Sequence, residues 1–139
     1  MKLKVKKLRK GTKLPTRAHY SDAGLDIYCC EATILPPHET TKVPTGIAYE
    51  IPEGYAGLIW DKSSVGFKGI KTLGGVLDSG YRGELFVALH NLHDEPYTFE
   101  AGHKIAQILI QKVELWEVEE IEGLSDTTRG IGAFGSTGK

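Results

Sequence analysis

Between Gly75 and Glu84 the chain reads Gly-Val-Leu-Asp-Ser-Gly-Tyr-Arg-Gly-Glu, which sets the carboxylate of Asp78, the phenol of Tyr81 and the guanidinium of Arg82 on a backbone punctuated by Gly75, Gly80 and Gly83. Glycine stands where φ must be positive or where a ligand comes too close for a side chain. A segment with so little side chain exposes its own N–H and C=O groups, and these are fixed donors and acceptors. They can read the edge of a planar base. The pattern predicts a glycine-hinged β-hairpin that forms a pocket. Asp78-Ser79-Gly80 also reads as a plain turn, which would need no chemistry.

Two further stretches carry groups suited to an anion. In Asp61-Lys62-Ser63-Ser64-Val65-Gly66 a Ser or Asp can cap one or two helical turns, and a helix start placed after a strand aims free N–H groups outward. The end of the chain, from Arg129 through Gly130, Phe134, Ser136 and Thr137 to Lys139, mixes one guanidinium and one ring with glycines and hydroxyls. It has too little apolar surface to fold alone. It reads either as a frayed terminus or as a mobile lid that stacks on a base and clamps a phosphate.

The elements that must position these groups are strands. Apolar and polar residues alternate in Lys2–Lys6, Gly46–Ile51 and around Leu85–Leu89, with turn signals at Leu35–His38, Pro52–Gly54, His93–Pro96 and Glu100–Gly102. Long helical periodicity is absent. Many short punctuated strands imply an all-β sandwich, jelly roll or small barrel. Gln107, between Ile105 and Leu109, puts a polar side chain on an apolar strand face and needs a partner there.

At 139 residues the chain fits one domain with a real core. Lys plus Arg is 17 and Asp plus Glu 18, giving a net charge of -1, which argues against a general nucleic-acid binder. No apolar run suggests a membrane span, and Met1–Lys6 lacks the hydrophobic block of a signal peptide, so a cytoplasmic protein is expected. Cys29 and Cys30 are neighbours, unsuited to bridging each other, and read as reduced strand residues. His90 and His93 have no further metal ligand near them in sequence and read as solvated or turn histidines. The basic start, Lys2 to Lys10, reads as a solvated strand face, with Glu117–Glu122 as a possible counter-charge within or between subunits.

Five segments, in this order, resemble the trimeric dUTPase family, the deoxyuridine triphosphate nucleotidohydrolases, over nearly the whole chain. They are Ala23–Ile27, Asp61–Gly66, Gly75–Gly83, Gly102–Gln107 and Arg129–Gly138. The resemblance implies a distorted jelly-roll fold with at most one short helix, assembled as a homotrimer. It implies a catalytic domain over 1–124 and a flexible arm over 125–139 that closes over a neighbouring subunit's site. The reaction would be Mg²⁺-dependent attack of water on the α-phosphorus of dUTP, giving dUMP and pyrophosphate, keeping uracil out of DNA and supplying dUMP for thymidylate synthesis.

By the same resemblance Asp78 holds and deprotonates the water, and Tyr81 packs on the deoxyribose and excludes a 2′-hydroxyl. Main-chain groups of Gly75, Val76 and Phe86 read uracil. Ser63, Ser64, Lys62 and Gln107 match phosphate-binding positions. Asp26 acts near the metal through water or as a structural anchor. Arg129 reaches the γ-phosphate, Phe134 covers the base, and Ser136 and Thr137 add contacts.

The second segment departs from the family's Pro-Arg-Ser-Gly, since Lys62 keeps the charge but loses the planar fork, and it can also be read as merely balancing Asp61. Ala133 stands for the usual glycine before the arm's phenylalanine. Two alternatives share the fold. A dCTP deaminase would need a glutamate where this chain has Ala88, and a non-enzymatic nucleotide-sensing or structural β-trimer would have no need of Asp78, Tyr81, Gln107, Arg129 and Phe134 together.

Overall fold

The computed structural model describes residues 2–134 and 137–138. Ten strands and a single helical turn follow in the order β1 (Lys4–Lys7), β2 (Leu25–Tyr28), β3 (Thr33–Leu35), β4 (Thr40–Glu50), β5 (Tyr55–Trp60), α1 (Ser63–Gly66), β6 (Ile70–Thr72), β7 (Val76–Leu77), β8 (Glu84–Asn91), β9 (Tyr97–Phe99) and β10 (Lys104–Lys112). They form two antiparallel four-stranded sheets, β1-β4-β8-β6 and β2-β10-β5-β7, and a small pair β3-β9. Both large sheets feed one core: Val43, Ile47, Leu85, Val87 and Leu89 from the first, Ile27, Leu77, Ile105 and Ile108 from the second. The fold is all-β with one short helix, as the short punctuated strands imply.

Strand β8 shows how the pattern works. Leu85, Val87, Leu89 and Asn91 are buried, while Phe86, Ala88 and His90 on the opposite face are only half-buried, the two-residue period of a strand with one face in the core. Buried Asn91 is satisfied: its amide donates to the carbonyls of Leu35 (3.1 Å) and Glu95 (2.8 Å) and accepts from the His93 N–H.

The expected alternation in Gly46–Ile51 does not appear, because every residue from Val43 to Tyr49 is buried. A bulge is the cause. The β4–β8 register jumps from Pro44↔Phe86 to Ala48↔Glu84, and the extra residues break the period and bend the strand. Gly46, at φ 68°, donates its N–H to the Glu84 carboxylate at 2.8 Å.

Lysines on β1 are exposed, as a solvated strand face should be, and Lys4 pairs with Glu50 at 2.7 Å. Both cysteines are free. The described residues hold no group of three or more side chains suited to a metal, and none of their helices is long and apolar enough to cross a membrane. Past Lys112 the Val113 N–H donates to the carbonyl of Gly54, in the turn between β4 and β5, at 2.9 Å. From Glu114 to Phe134 the backbone is irregular, and Leu115, Trp116, Val118, Leu124 and Phe134 are exposed.

Candidate active site

The Gly75–Glu84 segment is not the ladder-paired hairpin that its turn residues suggest. Its two arms belong to different sheets: β7 pairs with β5, whereas β8 pairs with β4 and β6. The reason lies at Gly75, whose φ of 131° carries the chain away from β8 and whose carbonyl accepts the Ile59 N–H at 2.7 Å. A Cβ there would stand 2.7 Å from the Ile59 Cβ, so the close approach itself requires glycine. Between the parted arms opens a cleft of about 390 Å³ lined by Gly75, Val76, Asp78, Tyr81 and Phe86, together with Lys42, Ala88 and others.

At one end of this cleft the Asp78 carbonyl accepts the Tyr81 N–H at 3.1 Å, closing the turn and leaving the Asp78 side chain exposed. The Tyr81 hydroxyl donates to the Glu84 carbonyl at 3.0 Å, which folds the ring back over the main chain. Gly83 makes that possible, since a Cβ there would overlap the ring. Arg82 turns away and donates to the carbonyls of Ser79 and Tyr81.

A second group gathers around Asp26. This carboxylate on β2 is 8 % exposed and bridges two ammonium groups, Lys104 at 2.6 Å and Lys62 at 3.2 Å. Burial pushes its pKa up, but the hydrogen bonds and charges of the two lysines together outweigh burial and hold it below the ordinary carboxylate range. Next to Asp26 in register is Gln107, whose amide donates to the Asp61 carbonyl at 2.9 Å and so has the partner its strand position demands. Gly24 leaves room for that amide, as a Cβ there would lie 3.0 Å from Cδ.

Lys62 therefore does not balance Asp61. Asp61 is engaged elsewhere: it accepts the Thr72 N–H at 2.7 Å and pairs with Lys71, tying the end of β5 to β6. These partners hold its pKa low against burial, the largest single influence. Nor does any side chain cap α1. The N-cap is Lys62 itself, and Ser63 and Ser64 open the turn ahead of its first internal bond, Val65 N–H to Lys62 C=O.

The candidate residues thus fall into three sets on one chain. None of Asp26, Lys62, Ser63, Ser64 or Gln107 lines the cleft that holds Asp78 and Tyr81. Arg129 and Phe134 stand on the exposed segment, where the Arg129 side chain donates to the nearby Gly132 carbonyl at 2.8 Å and the Arg129 carbonyl accepts the Gly132 N–H at 3.1 Å. Thr137 is also exposed, and Ser136 lies outside the described residues. Lys104 escaped the reading of the sequence, although a lysine three residues before Gln107 in the same segment was a signal. Lys42 escaped it too, because only the β4–β8 register brings it to the cleft.

No protein cage for a divalent cation exists among the described residues. The donor set suits instead an ion that brings its own oxygens, with Asp26 the one carboxylate in the Lys62–Gln107 group.

Comparison with known proteins gives one answer. The family model described as dUTPase matches residues 10–138. The deoxyuridine 5'-triphosphate nucleotidohydrolase of Gloeothece citriformis is 46% identical over 141 residues, covering 99% of this chain and 97% of that protein. The one from Mycolicibacterium gilvum is 46% identical over 134 residues, covering 90% and 87%. Among solved structures, a mutant of the Staphylococcus bacteriophage 80alpha dUTPase with dUpNHpp superposes with a TM-score of 0.93 at 32% identity, covering 99% of both chains. A mutant dUTPase from phage phi11 of S. aureus, described with a structural Mg(II) ion, gives 0.83 at 29% identity, covering 88% of this chain and 98% of that one.

Proposed function

The chain belongs to the dUTPase family and is a dUTP diphosphatase, and on that premise we propose that its site is completed between copies, in a homotrimer. One observation carries this: on a single chain none of Asp26, Ser63, Ser64 and Gln107 lines the cleft that holds Asp78 and Tyr81, and the Arg129 side chain bonds only within its own segment among the described residues, yet one substrate needs all three groups. The 80alpha relative, described with dUpNHpp, supports dUTP as the substrate. Residues 1–124 would form the body and 125–139 the closing arm.

In the cleft, the uracil edge lies against main-chain groups of Gly75, Val76 and Phe86, and the deoxyribose against the Tyr81 ring. Because the ring is pinned over Gly83, a 2′-hydroxyl finds no room. Asp78 takes a proton from water as the water oxygen attacks the α-phosphorus. The bond from that phosphorus to the bridging oxygen breaks, and pyrophosphate leaves with its electron pair. Lys62, Ser63, Ser64 and Gln107 hold the phosphates, Arg129 reaches the γ-phosphate, and Phe134 covers the base, with Ser136 and Thr137 adding contacts. Mg²⁺, when bound, would draw on the triphosphate's own oxygens with Asp26 as the nearby protein carboxylate, and would neutralise phosphate charge. Ala88 supplies no carboxylate for deamination.

The test is pyrophosphate release from dUTP, dCTP, dTTP and UTP with Mg²⁺ in parallel. Release from dUTP far exceeding the other three is expected. Equal release from dUTP and UTP would refute the Tyr81 assignment, and no release from any would refute the reaction.

A further inference from the structure

Among the described residues that line the cleft between β7 and β8, Lys42 is the one cation. It stands opposite Ala88 in the β4–β8 ladder, next to the pair Val43↔Val87 whose side chains enter the core, so Lys42 points to the other face, beside Phe86 and Ala88. There its Nζ sits 3.9 Å from the centroid of the Phe86 ring, within cation–π range. The neighbouring Ala88 offers only a methyl group, so no bulky side chain crowds the ammonium from that side. The two carboxylates that line the cleft do not neutralise it. Asp78 is at the turn, and Glu84 is held by the Gly46 N–H at 2.8 Å and by Arg9 at 3.1 Å.

The direction of the cleft gives this cation a task. Along β8 it runs from Glu84 to Ala88, about 13 Å at roughly 3.3 Å per residue. The Asp78–Tyr81 turn stands at the Glu84 end. If the sugar rests on Tyr81 and the α-phosphate lies by Asp78, the base extends toward Ala88. In a pyrimidine nucleotide the 4-position lies across the ring from the glycosidic nitrogen, so the 4-substituent reaches farthest toward Lys42.

We propose that Lys42, braced on the Phe86 ring, is a specificity-determining residue whose ammonium donates to the 4-carbonyl of uracil and repels the 4-amino group of cytosine. Main-chain groups read the rest of the edge. An ammonium has three donors and no acceptor, so an amino group facing it meets donors only and gains no hydrogen bond there. The inference rests on the base-reading role assigned to this cleft above.

The experiment compares kcat/KM for dUTP and for dCTP in the full-length wild type, Lys42→Met, Lys42→Gln and Lys42→Arg, with a melting curve for each. Methionine keeps an apolar stem over Phe86 without charge. The ratio of the two specificity constants should fall about tenfold in Lys42→Met and Lys42→Gln, through a higher KM for dUTP, and stay within about threefold of wild type in Lys42→Arg. Should methionine prevent folding, the glutamine variant carries the same prediction. An unchanged ratio in the folded neutral variants, or an equal loss on both substrates, overturns the role of Lys42. Failure of the wild type itself to prefer dUTP would instead overturn the reading of the cleft.

Discussion

The cleft between β7 and β8 is shaped mainly by main chain, fixed by Gly75 at φ 131° and by its 2.7 Å bond to Ile59, with Lys42 its one long cationic side chain, whereas the group around Asp26 is built from the tips of Lys62, Lys104 and Gln107. Main chain in a sheet cannot rotate to suit a wrong base, so it suits discrimination. Long side chains around a carboxylate can shift by an ångström and keep their charge, which suits a flexible triphosphate. The first region should fail abruptly when altered, and the second gradually.

The sharpest failure is expected at Asp78. Asp78→Asn should lower kcat about 10³-fold while binding a non-hydrolysable dUTP analogue nearly as well as wild type, as expected of a carboxylate that acts on water and not on the base. Single-turnover kinetics and calorimetry separate the two; an equal loss in both would make Asp78 a binding residue. Gly75→Ala comes next. A β-carbon forced against Ile59 at a φ that side chains avoid should cost about 2–3 kcal/mol in urea denaturation and blunt the preference for dUTP.

Around Asp26 the effect should be milder and set by pH. Its folded pKa lies below the ordinary value near 3.8, so between those two values the unfolded chain binds more protons and stability rises with pH. The contribution is complete above the ordinary value and is lost as pH falls through the folded one. Lys104 is shifted the opposite way, raised by Asp26, so its contribution is complete below 10.5 and disappears as pH rises through the raised value. Asp26→Asn should therefore flatten the acid limb of melting temperature against pH below about pH 4. An unchanged limb would remove Asp26 from the account of stability. The smallest effect is expected for Lys62→Arg, whose fork should lower KM for dUTP by about threefold without changing the preference among bases.

Much of this was legible in the sequence. The turn dipeptides and the alternation around Leu85–Leu89 specify an all-β fold, and the order of the five segments specifies the family. What was hidden depends on register. Nothing in Gly-Val-Leu-Asp-Ser-Gly announces that β7 leaves β8 for β5, since that follows from a contact with Ile59 some 16 residues away in the chain. Asp61 and Lys62 look like partners because they are adjacent, yet successive residues of an extended chain point in opposite directions, and each finds its counter-ion on another strand. The bulge at Pro44–Ala48 likewise erased an alternation that the residues of Gly46–Ile51 had promised.

The central claim, a site shared between copies, is tested most directly by mixing two inactive proteins. One is Asp78→Asn with its arm intact, and the other is cut before Arg129 with Asp78 intact. Unfolded together and refolded, they should recover about a quarter of wild-type dUTP turnover, because random assembly pairs an intact cleft with an intact arm in that share of sites. If cleft and arm of the same chain formed the site, no mixture would regain activity, and an unchanged background in the refolded mixture would contradict the account.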